Sequence, residues 1–153
     1  MTKFGAAQGK GRLEDLRFLT GGGRYVDDIA PKGALVAYFL RAQAAHGRIT
    51  TLDLTDARQA AGVHLVLDAA GLAALDVELG MEGEQISSAN GTGAGPERPV
   101  LARGVVRFAG EAVALIVAET LMQARDAADL VDLSLDELPV AMDLTPGGAT
   151  IHP

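Results

Sequence analysis

Ala112-Val113-Ala114-Leu115-Ile116-Val117-Ala118-Glu119-Thr120-Leu121-Met122-Gln123-Ala124-Arg125-Asp126-Ala127-Ala128-Asp129-Leu130-Val131-Asp132-Leu133-Ser134-Leu135-Asp136 carries the clearest structural signals in this 153-residue chain. Ala112 to Ala118 is a continuous apolar run of strand length, the pattern of a strand covered on both faces. Thr120-x-x-Gln123 has the spacing of a capping box. Leu121, Ala124, Ala127, Ala128 and Val131 then recur at helical spacing, with Asp126 and Asp129 on the other face. Val131 to Asp136 alternates with period two, as a half-buried strand does, and Pro139 closes it. A helix running between two strands predicts a right-handed crossover unit.

Upstream, Val100 to Val106 reads as a strand joined to the first run by a turn at Ala109-Gly110-Glu111. Further strands are expected at 34–40, 49–54 and 63–67. Thr55 or Asp56 is placed to cap a short helix that Gly62 stops, and Asp68 to open a second one reaching Leu75. Gly80 to Pro99 has no periodicity and reads as a long loop. Residues 1–24 are polar and Gly-rich and read as an extended arm ending in the turn Gly21-Gly22-Gly23. Strands interleaved with a few helices give an α/β or α+β domain with a mixed sheet.

Composition narrows the function. Apolar residues make up 48% of the chain and aromatics 4%, so the core must be built from Ala, Leu and Val. A formal charge of −7 repels phosphate backbones and argues against nucleic acid as a partner. With no Cys, the chain holds no disulfide, thiolate nucleophile or Cys-ligated cluster. Met1 to Arg17 shows no apolar signal region, and no apolar run has the roughly 18 residues a membrane span needs, so a cytoplasmic protein is the expectation.

The search for chemistry assigns no catalytic, cofactor-binding or metal residue. Gly21-Gly22-Gly23 lacks the Lys-Ser or Lys-Thr of a phosphate loop, and Gly91-x-Gly93-x-Gly95 runs into Pro96. His46, His64 and His152 are scattered, without a second ligand at helical spacing. Ser87, Ser88 and Ser134 lie outside any nucleophile elbow. The pairs Asp27-Asp28 and Asp136-Glu137 fall at turns or strand ends, as solvated carboxylates do. In the arm, Arg12, Glu14, Asp15 and Arg17 interleave with Leu13, Leu16 and Phe18, which suits either a solvated arm or a docking strap.

Several blocks of the chain, taken in order, resemble one family. They are Arg12-Leu-Glu-Asp-Leu-Arg-Phe-Leu-Thr-Gly-Gly-Gly-Arg-Tyr-Val-Asp-Asp-Ile29, Phe39 to Ile49, Arg98 to Ala102, Val106 to Ala114, Val117 to Thr120 and Leu138-Pro139. Together they are similar to the opening of the molybdenum-binding large subunit of the xanthine dehydrogenase, aldehyde oxidase and carbon monoxide dehydrogenase group. Leu16, Gln43 and Ala112 stand where that family usually has Pro.

The resemblance implies a single α/β-hammerhead domain over 31–142, preceded by a docking arm at 1–30 and followed at 143–153 by a linker toward molybdopterin-binding domains. It implies no cofactor in this chain. Molybdopterin would sit in later parts of the same subunit, with iron–sulfur clusters and FAD in partner domains or subunits. The implied activity of the intact subunit is hydroxylation or oxidation of an aldehyde, a heterocycle or carbon monoxide, with this domain as scaffold. The alternative is a stand-alone hammerhead-fold binding or interaction protein. An independent hydrolase is a third, weaker reading.

Overall fold

The computed structural model describes residues 12–77, 80–81, 87–88, 91–92 and 98–142. The chain divides into two compact units, Met1–Ala34 and Leu35–Pro153.

Over its described residues, 12–34, the first unit is folded where an extended arm was expected. It holds a short helix α1 (Asp15–Leu19) and a 3-10 turn at Val26–Asp28. Arg12 N–H donates to the Asp15 carboxylate at 3.0 Å, and Tyr25 N–H to the Asp28 carboxylate at 2.9 Å. Each acid thus satisfies an amide that a helix start leaves unpaired. Between these two turns the Phe18 and Tyr25 rings stack at 5.8 Å, and the Arg17 guanidinium lies 5.4 Å from the Phe18 centroid. Gly23 permits this fold-back, because a Cβ there would stand 2.6 Å from Phe18 Cδ1.

In the second unit the elements run β1 (Val36–Arg41), β2 (Gly47–Asp53), α2 (Thr55–Gln59), β3 (Val63–Leu67), α3 (Ala69–Ala74), β4 (Gly80–Met81), β5 (Ser87–Ser88), β6 (Gly91–Thr92), β7 (Arg98–Pro99), β8 (Val105–Val106), β9 (Ala112–Ala118), α4 (Leu121–Asp129) and β10 (Asp132–Glu137). Two three-stranded sheets, β1-β9-β3 and β10-β2-β8, form the body, and β4-β7 and β5-β6 are short ladders. Strands and helices mix as expected, and every ladder among the described residues is antiparallel.

The crossover unit expected over 112–136 is corrected. α4 carries the chain from one sheet into the other, since β9 and β10 belong to different sheets. The physical reason is that β9 already has β1 on one side and β3 on the other. The alternating acids of β10 suit an outer strand with one wet face.

Three bulges aim the side chains. On β9, Val113 is the extra residue between the Leu40↔Ala114 and Arg41↔Ala112 pairs. Val113 and Ala114 are both fully buried, and they enter different cores. On β2, Thr50 is extra between Ser134↔Thr51 and Leu135↔Ile49, which explains why Ile49 and Leu52 are half-buried three residues apart. On β3, His64 is extra between Val63↔Ala118 and Leu65↔Val117. An added residue shifts the strand's alternation by one and turns the residues beyond it to the other face.

Other boundaries also differ. The strand expected at 100–106 narrows to Val105–Val106, because Gly104 takes a left-handed φ of +70° and bends the chain. Leu101 and Ala102 are buried without joining that ladder. α2 is opened by neither Thr55 nor Asp56. Asp53, one residue before the helix's own cap position, accepts from both Thr55 N–H and the Thr55 hydroxyl, at 2.9 and 2.6 Å. Short ladders β4-β7 and β5-β6 lie within the expected loop 80–99, and its remaining residues fall outside the described ones.

The first core joins Leu54, Ala57, Val66, Ala114, Ile116, Ala118, Ala124, Ala127 and Ala128, with Tyr38, Leu40 and Val131 packed around it. It lies between α4 and one face of β1-β9-β3. The second joins Ala42, Ala102, Val106 and Val113, closed by Leu40, Ile49, Leu133 and Leu135.

Candidate functional site

The second core is sealed by a tight turn at Arg107–Glu111. Glu111 is the buried charged residue there, 5% exposed. Its Oε2 accepts from Arg107 N–H at 2.5 Å, and its Oε1 lies 3.4 Å from Arg107 Nη1. The same guanidinium donates to the Val105 carbonyl at 3.3 Å, while Arg107 Nε is buried with no partner. Glu111 N–H closes the turn onto the Phe108 carbonyl at 3.1 Å, and Gly110 supplies a φ of +90°. A carboxylate held by a backbone amide and a guanidinium can stay buried, since both charges are hydrogen-bonded.

The end of β1 grips this turn. Arg41 Nη1 donates to the Gly110 carbonyl at 2.7 Å. Gly110 N–H donates to the Ala42 carbonyl at 2.8 Å, and Ala42 N–H to the Glu111 carbonyl at 2.9 Å. Nearby, His46 Nδ1 lies 2.7 Å from the Pro139 carbonyl. A carbonyl only accepts, so Nδ1 carries the proton. Leu138 N–H returns a bond to the His46 carbonyl at 3.0 Å. Three separate blocks of the family resemblance, at 39–49, 106–114 and 138–139, therefore meet at one end of the two sheets.

That junction presents side chains outward. Phe108 stands 57% exposed at the tip of the clamped turn. Beside Arg41 lies a hollow of about 480 Å³ with a floor of Leu40, Leu133 and Leu135 and a rim of Gln43 and Glu137. A second hollow, of about 420 Å³, runs between Ala69, Ala70 and Ala73 on one wall and Ile49, Leu52 and Ala102 on the other. Chemically this end offers a rigid, partly apolar relief. Its one buried carboxylate is fully occupied by Arg107.

The residues weighed in the sequence do not converge. His64 sits at the β3 bulge, 3.7 Å from Glu119, with both side chains at least half exposed, so the pair contributes little. His46 is tied to a carbonyl, and His152 lies outside the described residues. Ser87 and Ser88 belong to β5, and Ser134 to β10. Asp28 caps the 3-10 turn, and Asp136 and Glu137 end β10. Gly91 begins β6, whereas Gly93 and Gly95 lie outside the described residues. Among the described residues no three His, Asp or Glu side chains gather as a metal would need. Sequence reasoning missed the Arg107–Glu111 clamp and the Arg41 anchor. Glu111 in a turn reads as solvated, and only its place inside the 106–114 block hinted otherwise.

Comparison with known proteins agrees on the fold. Residues 20–139 match the family model described as aldehyde oxidase and xanthine dehydrogenase, a/b hammerhead domain. The nicotine 6-hydroxylase large subunit of Paenarthrobacter nicotinovorans is 44% identical over 136 residues, covering 86% of this chain and 16% of that protein. The carbon monoxide dehydrogenase large chain of Afipia carboxidovorans is 38% identical over 132 residues, covering 86% and 15%. The crystal structure of quinoline 2-oxidoreductase from Pseudomonas putida superposes with a TM-score of 0.74 at 41% identity, covering 84% of this chain and 16% of that one. The chain thus spans about one-sixth of the length of these relatives. No helix among the described residues is long and apolar enough to cross a membrane. The two antiparallel sheets, the linking helix and the match over residues 20–139 have one conclusion: the chain belongs to the hammerhead-domain family of the aldehyde oxidases and xanthine dehydrogenases.

Proposed function

We propose that this chain is the scaffolding hammerhead domain of a molybdenum hydroxylase large subunit, contributing shape and contact surface rather than a reacting group. In the intact, cytoplasmic enzyme, molybdopterin would be held by other domains, and iron–sulfur and FAD components would carry electrons away. The bound cofactor would supply the redox chemistry. No step of it is assigned to a residue of this chain. Residues 1–30 would be the docking arm, 31–142 the body and 143–153 the connection onward. The observation that carries the reading is the clamped end, where the 39–49 block grips the turn of the buried Glu111 on one side and the Leu138-Pro139 segment on the other and leaves Phe108 outside. Rigid presentation of an aromatic lowers the cost of docking, because little is left to order on contact.

The test is a transplant. The matching sixth of the nicotine 6-hydroxylase large subunit is replaced by this chain. Assembly of a molybdenum-loaded, nicotine-oxidising enzyme is expected, because a scaffold is exchangeable at 44% identity. A folded chimaera that loads no molybdenum, or turnover of aldehyde, heterocycle or carbon monoxide by the isolated chain, would refute it.

A further inference from the structure

An unpaired strand edge is a template for another strand, and proteins blunt such edges with charge, bulges or shortness. Among the described residues the two larger sheets end on four outer strands, β1, β3, β8 and β10. Three of these are blunted. β3 is bulged at His64, β8 is two residues long, and β10 carries Asp132, Asp136 and Glu137. β1 is the least blunted: Val36-Ala37-Tyr38-Phe39-Leu40 contains no charge and no Pro and pairs with β9 in unbroken register, the one charge, Arg41, and the bulge opposite it on β9 coming only at the strand's end. Its Ala37 and Phe39 are exposed.

We infer that the outer edge of β1, unpaired among the described residues, pairs antiparallel with the β1 edge of a second copy, through a two-fold axis perpendicular to the sheet. Centred on Tyr38, this register sets Val36 against the second copy's Leu40 and Ala37 against its Phe39. Every pair then shares a face, as antiparallel pairing requires, and no pair opposes like charges. The helix above supplies the charge complementarity. Gln123 of α4 lies beside Gly62, immediately before β3, so that flank of the helix looks toward β3. At 3.6 residues per turn the opposite flank, above β1, carries Leu121, Arg125 and Asp129. The two-fold brings two such helices side by side and antiparallel at roughly 10 Å, a normal packing distance. Arg125 and Asp129, one turn apart and opposite in sign, then face the same pair in reverse order. One strand edge and one helix flank fall short of the roughly 1,000 Å² of a stable interface, so the dimer is weak and reversible.

Sedimentation of the 153-residue chain from about 10 μM to 1 mM tests this, the range in which a weak interface of this size should titrate. A monomer–dimer equilibrium is expected, with amide protection gained at 35–41 as concentration rises. Ala37→Lys puts two ammonium groups one diagonal apart across the joint and should weaken association at least tenfold. Arg125→Asp should weaken it several-fold, and adding Asp129→Arg should restore it. Ala37 and Arg125 are exposed, so circular dichroism and the melting midpoint should match the parent chain. A monomer at every concentration would overturn the inference. So would a dimer that both variants leave intact, or one protected at 12–29 instead of 35–41. None of these outcomes touches the scaffold reading, which stands or falls on the transplant.

Discussion

The two cores of this domain are built in opposite ways. The first is helix on sheet, and six of its nine buried residues are Ala, which lets α4 approach β9 and β1 closely. The second sits between the two sheets. It exists because a bulge turns Val113 inward and a clamped turn, Arg107–Glu111, covers the result. One core is made by repeating small residues at a period. The other is made by a local break in a period plus a buried ion pair. Leu40 packs into both, so the two are joined through β1.

That contrast can be broken first at Ile116, the largest fully buried side chain of the first core. Ile116→Ala should cost about 4 kcal/mol, because the alanines around it have no reach with which to fill the cavity. Urea unfolding followed by circular dichroism measures it. A loss below about 1 kcal/mol would mean the alanine core is not what holds the domain together.

Next in size is Glu111→Ala, expected to cost about 2–3 kcal/mol, because it strands a guanidinium and an amide that are mostly out of water. Arg107 is 17% exposed, so part of its charge can recover solvent. The loss should begin locally. Amide exchange at 104–112 should quicken while α4 and β9 stay protected, as expected if the clamp opens as a unit of its own. Uniform loss of protection across both cores would erase the distinction between them.

Two smaller changes test the seams of the helix-covered core. Gly62 has a φ of +76°, and a Cβ there would collide with the Gln123 side-chain amide. Its carbonyl also accepts from Glu119 N–H at 2.9 Å, so the backbone cannot easily relax. Gly62→Ala should cost about 1–2 kcal/mol, mostly from the left-handed backbone. Thr120→Ala should cost about 1 kcal/mol, the usual worth of an N-cap. The Thr120 hydroxyl accepts from Gln123 N–H at 3.3 Å and itself donates to Gln123 Oε1 at 2.7 Å. A drop in melting midpoint larger for Thr120 than for Gly62 would reverse the order.

The same division marks how much the sequence discloses. Period is legible. The apolar run 112–118, the Thr120-capped helix and the strand after it appear within a residue of their expected places, as does β3. Asp68 caps α3 as expected by accepting from Gly71 N–H at 2.8 Å, whereas α2 already ends at Gln59, with Ala60 extended, and Gly62 shapes the next turn into β3 instead of stopping the helix. Pairing is not legible, because nothing local says that β9 takes β1 and β3 as neighbours and leaves β10 to the other sheet. Bulges are legible only in hindsight. The hitch at Thr50 in an otherwise alternating strand was one, whereas Val113 inside a continuous apolar run left no trace. The clamped end was missed for the same reason: Arg41, Arg107 and Glu111 are far apart or unremarkable in sequence, and only the fold makes them one device.

The smallest expected effect lies on the surface, at the entry to α2. The Thr55 hydroxyl beside Asp53, then the Thr55 amide, and more weakly the Arg58 charge hold the Asp53 carboxyl below its ordinary value of 3.8. A folded value below the unfolded one means the anion's contribution is complete above about pH 5, where the unfolded carboxyl is almost wholly ionised, and is lost as pH falls through the folded value. The Thr55 amide resonance should therefore titrate with a midpoint below 3.8, and α2 amides should exchange faster under more acid conditions. Asp53→Asn keeps an oxygen for the Thr55 hydroxyl and amide but has no proton to gain. Its Thr55 resonance should stay flat across the same acid range, while the sheet pairs and both cores are unmoved. A Thr55 midpoint at or above the ordinary value would show that the hydrogen bonds do not favour the anion. The start of α2 would then owe nothing to Asp53's charge.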